Sequence, residues 1–289
     1  MEFNDFIPPL SDFGFKNLFG KGEKSKENLR YLLNEVLKDY PGMSPIIEIH
    51  YQNVEHQGDS PERKSTRFDV FCKTENGETF VVEMQNEKDR HLKQRMIFYL
   101  CQTVTEQDYR HDRLKAWDYN FPRVIVIMFC NFIDNEIDPE EVNHFGILNL
   151  KTHREFGNHI GLTILQLPLF PDNVEGCHTE IEKIVYTLTH MENIIETSVN
   201  PFSRQEGDFY DRIKNMSTTA ALNPRELHDY HQWLKVTNDD RLRLEKAEEK
   251  GQLKEKWETA RILFDKKMTL EFISEVTGLP IQELKSNLC

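Results

Sequence analysis

The most informative segment of this chain is Arg67-Phe-Asp-Val-Phe-Cys-Lys-Thr-Glu-Asn-Gly-Glu-Thr-Phe-Val-Val-Glu-Met-Gln85. Two runs rich in apolar residues flank Asn76-Gly77, a pair that tolerates the positive φ angles of a tight turn. The pattern predicts a β-hairpin. In that hairpin Asp69 and Glu83 lie within about one residue of each other across the two strands, so two carboxylates are folded back towards each other.

Side chains alternate between the two faces of a strand, which predicts Asp69 and Phe71 on one face and Phe68 and Val70 on the other. An acidic side chain among apolar neighbours is unfavourable to bury without a partner. A divalent cation between the two carboxylates would be such a partner, and hard cations with open coordination positions suit phosphate chemistry. The alternative interpretation is an ordinary amphipathic hairpin whose charged face is in water.

Length and composition indicate a globular protein. The chain has 289 residues, of which 38% are hydrophobic and 29% charged, so it can form one large domain or two modest ones. We expect a cytoplasmic protein without a membrane segment, because no run approaches the ~18 apolar residues of a span and the N-terminus lacks signal-peptide features. The five cysteines are scattered and include no Cys-x-x-Cys pair, which argues against a disulfide framework and a structural zinc site.

The net charge of −13 counts against a polyanionic partner, because nucleic-acid affinity comes largely from neutralising phosphates. The charge is uneven, however. Basic residues cluster in the ranges 16–30, 63–67 and 88–95, whereas 134–141 and 172–211 are acidic. The basic clusters flank the hairpin carboxylates in sequence, so they indicate either a basic cleft on an acidic protein or separate solvated surfaces.

Periodicity along the chain predicts an α/β core followed by helices. Before the hairpin it predicts a helix beginning at Ser11 or Asp12, a helix at 26–38 and a strand at 46–54. After the hairpin it predicts a helix at 89–109, a strand at 123–129 that is buried on both faces, and strands at 145–150 and 162–167. Helices are then expected at 178–197, 203–220, 224–235, 239–266 and 269–288. We predict a core at 1–175, a helical extension at 176–238, and a charged helix with a helix-turn-helix-like cap at 239–289.

Three segments, in this order and spacing, resemble the PD-(D/E)xK nuclease superfamily, in particular bacterial recombination-promoting nucleases also described as transposases. They are Ser11–Gly20, then Asp69 with Glu83-Met-Gln85, then Gln94–Tyr99, and the resemblance spans roughly 8–230. It implies a restriction-endonuclease-like mixed sheet flanked by helices. It further implies a DNA endonuclease that depends on Mg²⁺, or Mn²⁺, and is linked to DNA recombination or mobile elements.

By this resemblance Asp69 and Glu83 would be the metal-binding carboxylates, and the carbonyl of Met84 would add a ligand. Gln85 stands where the superfamily usually has lysine. Lysine carries a positive charge and can orient or deprotonate water, whereas glutamine only donates and accepts hydrogen bonds. Gln85 would therefore orient the attacking water, and activation of that water would depend more heavily on the metal.

Two helical pairs with i, i+4 spacing complete the candidate site. Asp12 is expected to be an extra metal ligand or to support one, and Lys16 to contact phosphate; the alternative is a helix cap followed by a surface lysine. Arg95 is expected to bind phosphate through two parallel hydrogen bonds, unless it forms an ion pair with a nearby carboxylate. Tyr99 is expected either to donate a hydrogen bond in the site or to belong to the core.

Two alternatives concern the protein as a whole. Because Gln85 replaces lysine and the net charge is negative, the chain could be an inactive nuclease fold that binds nucleic acid or acts as a scaffold. The segment Leu270 to Leu284 resembles part of a helix-turn-helix, but its second helix contains few basic residues, which favours a small helical cap. The helical C-terminal region is also expected to support a homodimer.

Overall fold

The computed structural model describes residues 5–52, 55–56, 66–109 and 121–288. Contacts within the chain form two compact units, Met1–Asn223 and Pro224–Cys289. The division predicted at residues 175 and 238 stays a prediction. None of the helices within the described ranges has the length and apolar character that crossing a membrane requires.

Among the described residues, every strand lies in the first unit. They are β1 (Ile49–Tyr51), β2 (Glu55–His56), β3 (Thr66–Arg67), β4 (Val70–Thr74), β5 (Thr79–Gln85), β6 (Val124–Cys130), β7 (Val142–Leu148) and β8 (Glu155–Gln166). Six of them form a mixed sheet in the order β1-β4-β5-β6-β8-β7, and β2 pairs with β3 separately. The central strands β5, β6 and β8 are parallel, whereas β1, β4 and β7 join the sheet in antiparallel pairs.

Helices cover both faces of this sheet. They are α1 (Asp12–Phe19), α2 (Glu23–Val36), α3 (Leu92–Tyr109), α4 (Glu180–Thr189), α5 (Met191–Glu196) and α6 (Phe209–Met216). Val70 and Val82 of the hairpin belong to a core cluster with α1, α2, α4, α5 and α6. Phe71 and Val81 belong to a second cluster with α3 on the other face. The predicted mixed sheet flanked by helices is confirmed. The alternative of an amphipathic hairpin with one face in water is wrong, because both faces of the hairpin contribute residues to a core cluster.

Strand β6 lies at the centre of the sheet, as its sequence predicts. All seven of its residues, Val124–Cys130, are buried, and it pairs in parallel with β5 on one side and with β8 on the other. A strand covered on both faces needs apolar side chains at every position, which explains the unbroken run Val-Ile-Val-Ile-Met-Phe.

The strands predicted at 145–150 and 162–167 begin earlier than expected. They are β7 and β8, which form a hairpin whose loop lies between Leu148 and Glu155. The Asn149 side-chain oxygen accepts hydrogen bonds from the backbone N–H groups of Lys151 and Thr152. This turn contains no glycine or proline, and Asn149 is the one residue at 149–154 that favours a turn, so the pattern predicts the turn only weakly.

Phe68 does not share a face with Val70. The chain bends at Asp69 just before β4, and Phe68 packs edge-on against Phe71 and against Tyr99 of α3, at ring-centroid distances of 5.5 and 5.1 Å. Strict alternation applies only within the extended strand, so it fails at the bend.

The second unit consists of α7 (Pro224–Asp265), α8 (Leu270–Thr277) and α9 (Ile281–Leu288). The expectation of separate helices at 224–235 and 239–266 is wrong, because one continuous helix covers both ranges. Proline begins it at the position where a missing N–H is harmless. The short helices α8 and α9 pack with the end of α7 around a small core that contains Ala260, Ile273, Leu279 and Leu284.

Candidate active site

The hairpin places the two carboxylates side by side. In the register of β4 and β5, Val70 lies opposite Val82, so Asp69 and Glu83 occupy the next position along. The backbone N–H of Asp69 donates to Oε1 of Glu83 at 3.1 Å, and the backbone N–H of Met84 donates to Oδ2 of Asp69 at 2.9 Å. The side chain of each carboxylate therefore accepts a hydrogen bond from a backbone N–H on the opposite side of the hairpin. These two bonds hold Asp69 against the end of β5, one position beyond the paired residues Val70 and Val82.

Both carboxylates are shielded from water, and Glu83 is only 7% exposed. Burial raises the pKa of Glu83 to about 8, with a further contribution from repulsion by Asp69. Burial also raises the pKa of Asp69, by more than the neighbouring Lys16 lowers it. Two carboxyl groups whose pKa values are raised by burial, one of them further by the charge of the other, mark this point as a candidate functional site.

Helix α1 brings Lys16 to this pair. Lys16 Nζ lies 3.1 Å from Oδ1 of Asp69 and also forms an ion pair with Asp12 one turn earlier. Burial lowers the pKa of Lys16, but hydrogen bonds and charge from the two aspartates outweigh it and raise the pKa above its ordinary value. Lys16 is therefore a cation at the site, and the interpretation as a mere surface lysine is wrong.

The cap of α1 is Ser11, not Asp12. The Ser11 hydroxyl accepts from the backbone N–H of Gly14 at 3.0 Å and donates to the Pro8 carbonyl at 2.7 Å. Because serine fills the capping role, the Asp12 side chain, which is 57% exposed, remains available to Lys16. Asp12 thus contacts the site through Lys16.

On the other side, α3 contributes Arg95 and Tyr99. Arg95 Nη2 donates to the side-chain oxygen of Gln85, and Nη1 lies 3.1 Å from Oδ2 of Asp89. Gln85 Nε2 donates to the Glu87 carbonyl at 3.0 Å. Both polar ends of the Gln85 amide are thus engaged, one by the helix and one by the loop after β5.

Tyr99 is half-buried beside the carboxylates. Its ring packs edge-on against Phe68, and burial raises the pKa of its hydroxyl, helped by the negative charge of Glu83. The ring of Tyr99 thus belongs to the core beneath α3, as one alternative has it, and the hydrogen bond from its hydroxyl in the site stays a prediction.

Two other basic residues near the site in sequence form ion pairs with acidic residues. Lys88 Nζ lies 3.2 Å from Oδ1 of Asp134, and Lys93 Nζ lies 2.9 Å from Oε2 of Glu136. Both acidic residues belong to the loop that follows β6. They lie in the acidic range 134–141, whose sequence alone did not predict these ion pairs. Arg63 and Lys64, members of the middle basic cluster, lie outside the described residues.

Asn86 also supports the candidate site, although the sequence patterns did not predict it. Its side-chain amide donates to the Leu10 carbonyl at 2.7 Å and so joins the end of β5 to the entry of α1. Its position directly after Glu83-Met-Gln85 was the signal that could have identified it. This contact holds the two parts of the candidate site together.

The donor set fits a divalent metal ion. Asp69, Glu83 and the Met84 carbonyl would supply hard oxygen ligands, and Mg²⁺ usually keeps several waters in addition to one or two carboxylates. In the described part of the chain, no group of three or more His, Cys, Asp or Glu residues is arranged as a metal site. A cation at the pair would offset the unfavourable burial of two negative charges.

The sequence matches the family described as PD-(D/E)XK nuclease family transposase over residues 9–247. No curated protein and no solved structure matches it. The matched range includes every element that forms the site: the capped α1 with Lys16, the hairpin with Asp69 and Glu83, and α3 with Arg95. The resemblance inferred from those segments is confirmed, and the chain belongs to the PD-(D/E)XK nuclease family transposases.

Proposed function

We propose that the protein is a DNA endonuclease that depends on a divalent metal ion, Mg²⁺ or Mn²⁺. The observation that carries this proposal is the buried pair of Asp69 and Glu83, which has raised pKa values and a cationic side chain on each flank. Family membership makes DNA the expected substrate. The family description also supports a link to recombination or mobile elements, without implying strand transfer.

Asp69 and Glu83, with the Met84 carbonyl, would hold the metal ion. The chemistry supplied by a bound divalent cation is polarisation of the scissile phosphodiester and a lower pKa for water at the site. Lys16 and Arg95 would bind the phosphate oxygens from opposite sides, which fixes the orientation of the phosphorus. Attack by the water oxygen breaks the bond between phosphorus and the 3′ oxygen, which takes up a proton, while the water loses one proton to solvent. The products are a 5′-phosphate and a 3′-hydroxyl.

The direct test is incubation of supercoiled plasmid with pure protein in Mg²⁺, Mn²⁺ or EDTA. We expect nicked and linear products with either metal and none in EDTA. Asp69→Asn and Glu83→Gln should abolish cleavage, whereas Glu155→Gln, at an exposed position on β8, should cleave like the wild type. Equal nicking by Asp69→Asn and wild type would refute the assignment.

A second candidate is a nuclease fold that binds nucleic acid without cleaving it. The engaged amide of Gln85 favours this candidate, since the side chain at the lysine position is already bonded to Arg95 and to the Glu87 carbonyl. Salt-sensitive DNA binding by a protein that cleaves in neither metal would support it over the endonuclease.

A further inference from the structure

The lysine of the family motif has no counterpart on β5, but an ammonium group is present at the carboxylates. Gln85 occupies the lysine position, and its amide is bonded to α3 and to the following loop. Lys16 Nζ, in contrast, lies 3.1 Å from Oδ1 of Asp69. We propose that Lys16, delivered by α1, performs the catalytic task of the missing motif lysine and that Asp12 is its positioning residue, an inference that rests on the proposed nuclease function.

The placement of Lys16 is fixed by its neighbours in α1. Phe15 is fully buried, and its ring packs on Phe129 of β6 at a centroid distance of 5.6 Å. On the other side, the Asn17 side chain donates to the Met216 carbonyl at 3.1 Å. Because residues 15 and 17 are both held by the core, the side chain between them is directed to one place.

Close backbone packing also fixes the start of α1. A Cβ atom at Gly14 would lie 1.9 Å from the Pro8 carbonyl oxygen, so only glycine allows the helix to approach the preceding segment this closely. The hydrogen bond from Asn86 to the Leu10 carbonyl then ties this segment to the residue that follows Gln85. The helix carrying Lys16 is thereby joined to the end of the strand from which the motif lysine is missing.

The task we assign to Lys16 is electrostatic. Its ammonium group would contact a phosphate oxygen as negative charge develops there and would hold the attacking water by a hydrogen bond, without accepting a proton. Asp12 is exposed and shares Lys16 with Asp69, so it restricts the lysine side chain without needing to bind the metal. Gln85 then has a different role from the motif lysine, since its side chain holds Arg95 against β5.

The proposal is tested by removing Lys16 and placing a lysine at position 85 on β5 instead. Wild type, Lys16→Gln, Lys16→Arg and the double variant Lys16→Gln/Gln85→Lys are compared in single-turnover cleavage of a labelled duplex with Mg²⁺. DNA affinity in EDTA and Mn²⁺ affinity by calorimetry are measured on the same proteins. Lys24→Gln, at an exposed position on α2, is the matched control.

We expect Lys16→Gln to slow cleavage at saturating DNA by about 100-fold, while DNA affinity falls by no more than about tenfold, as for the loss of one phosphate contact. Mn²⁺ should bind this variant at least as tightly as wild type, because the ammonium group no longer competes for Asp69. Lys16→Arg should retain part of the rate, and the double variant should recover at least about tenfold over Lys16→Gln. Asp12→Asn should slow cleavage with unchanged Mn²⁺ affinity.

Several other results would contradict the proposal or the function on which it rests. Wild-type rates in Lys16→Gln, or no recovery in the double variant, would overturn the assignment of Lys16. Loss of Mn²⁺ binding in Lys16→Gln would show that the lysine only maintains the carboxylates, and loss of it in Asp12→Asn would make Asp12 a ligand. A wild-type protein that cleaves in neither metal would instead refute the nuclease function itself.

Discussion

Replacing Glu83 with Gln should change how the stability of the metal-free protein depends on pH. In the folded protein burial and the Asp69 carboxylate raise the pKa of Glu83 from 4.5 to about 8. The folded state therefore keeps a proton that the unfolded chain releases, so the free energy of unfolding decreases as pH rises from about 4.5 to about 8. An amide at this position does not titrate, and its oxygen can still accept the hydrogen bond from the Asp69 N–H.

The size of the effect follows from the pKa values. At about 1.4 kcal/mol per pKa unit, the gap between the folded and unfolded values amounts to roughly 5 kcal/mol above pH 8. Integrated from about pH 5 to about pH 8, the wild type should lose roughly 3 kcal/mol that Glu83→Gln retains. Added Mg²⁺ should restore most of this stability to the wild type and little to the variant, because metal bound to the folded state stabilises it.

The assay is urea unfolding of the full chain in EDTA, followed by circular dichroism at several pH values. Titrating groups away from the site contribute equally to both proteins, so the difference between the two curves reports Glu83 together with its interaction with the Asp69 carboxyl. Glu155→Gln, an exposed carboxylate on β8, is the control and should follow the wild type. Parallel curves for wild type and Glu83→Gln would refute the reasoning, because they would mean that Glu83 is not destabilised in its ionised form.

Three further predictions concern α1 and α3. Ser11→Ala should lower the free energy of unfolding by about 1 kcal/mol, since it removes the cap of α1, and an unchanged urea midpoint would contradict that cap. Gly14→Ala should cost about 1–3 kcal/mol in the same measurement because the added Cβ meets the Pro8 carbonyl, and a neutral result would show that α1 can shift at no cost. Arg95→Gln should weaken DNA binding and reduce the slope of log affinity against log salt by about 1, whereas an unchanged slope in a titration with labelled duplex would place Arg95 away from phosphate.

Much of the candidate site could be predicted from sequence because its parts are local. The Asn76-Gly77 turn and the alternation of apolar residues determine the pairing of β4 with β5, which places Asp69 beside Glu83. The unbroken apolar run of β6 likewise determines a strand covered on both faces. These features depend on near neighbours in the chain, so pattern and turn chemistry suffice.

Which cation pairs with which carboxylate depends on how the helices pack on the sheet. Lys16 is far from Asp69 in sequence, and its position depends on the packing of Phe15 against β6 and on the contact between Asn86 and Leu10. The absence of lysine at position 85 is plain from the sequence alone, whereas the ammonium group that reaches the carboxylates from α1 is evident only once the helix is packed on the sheet. The physical reason is that propensity and periodicity act over a few residues, while the meeting of two distant side chains depends on how whole elements pack.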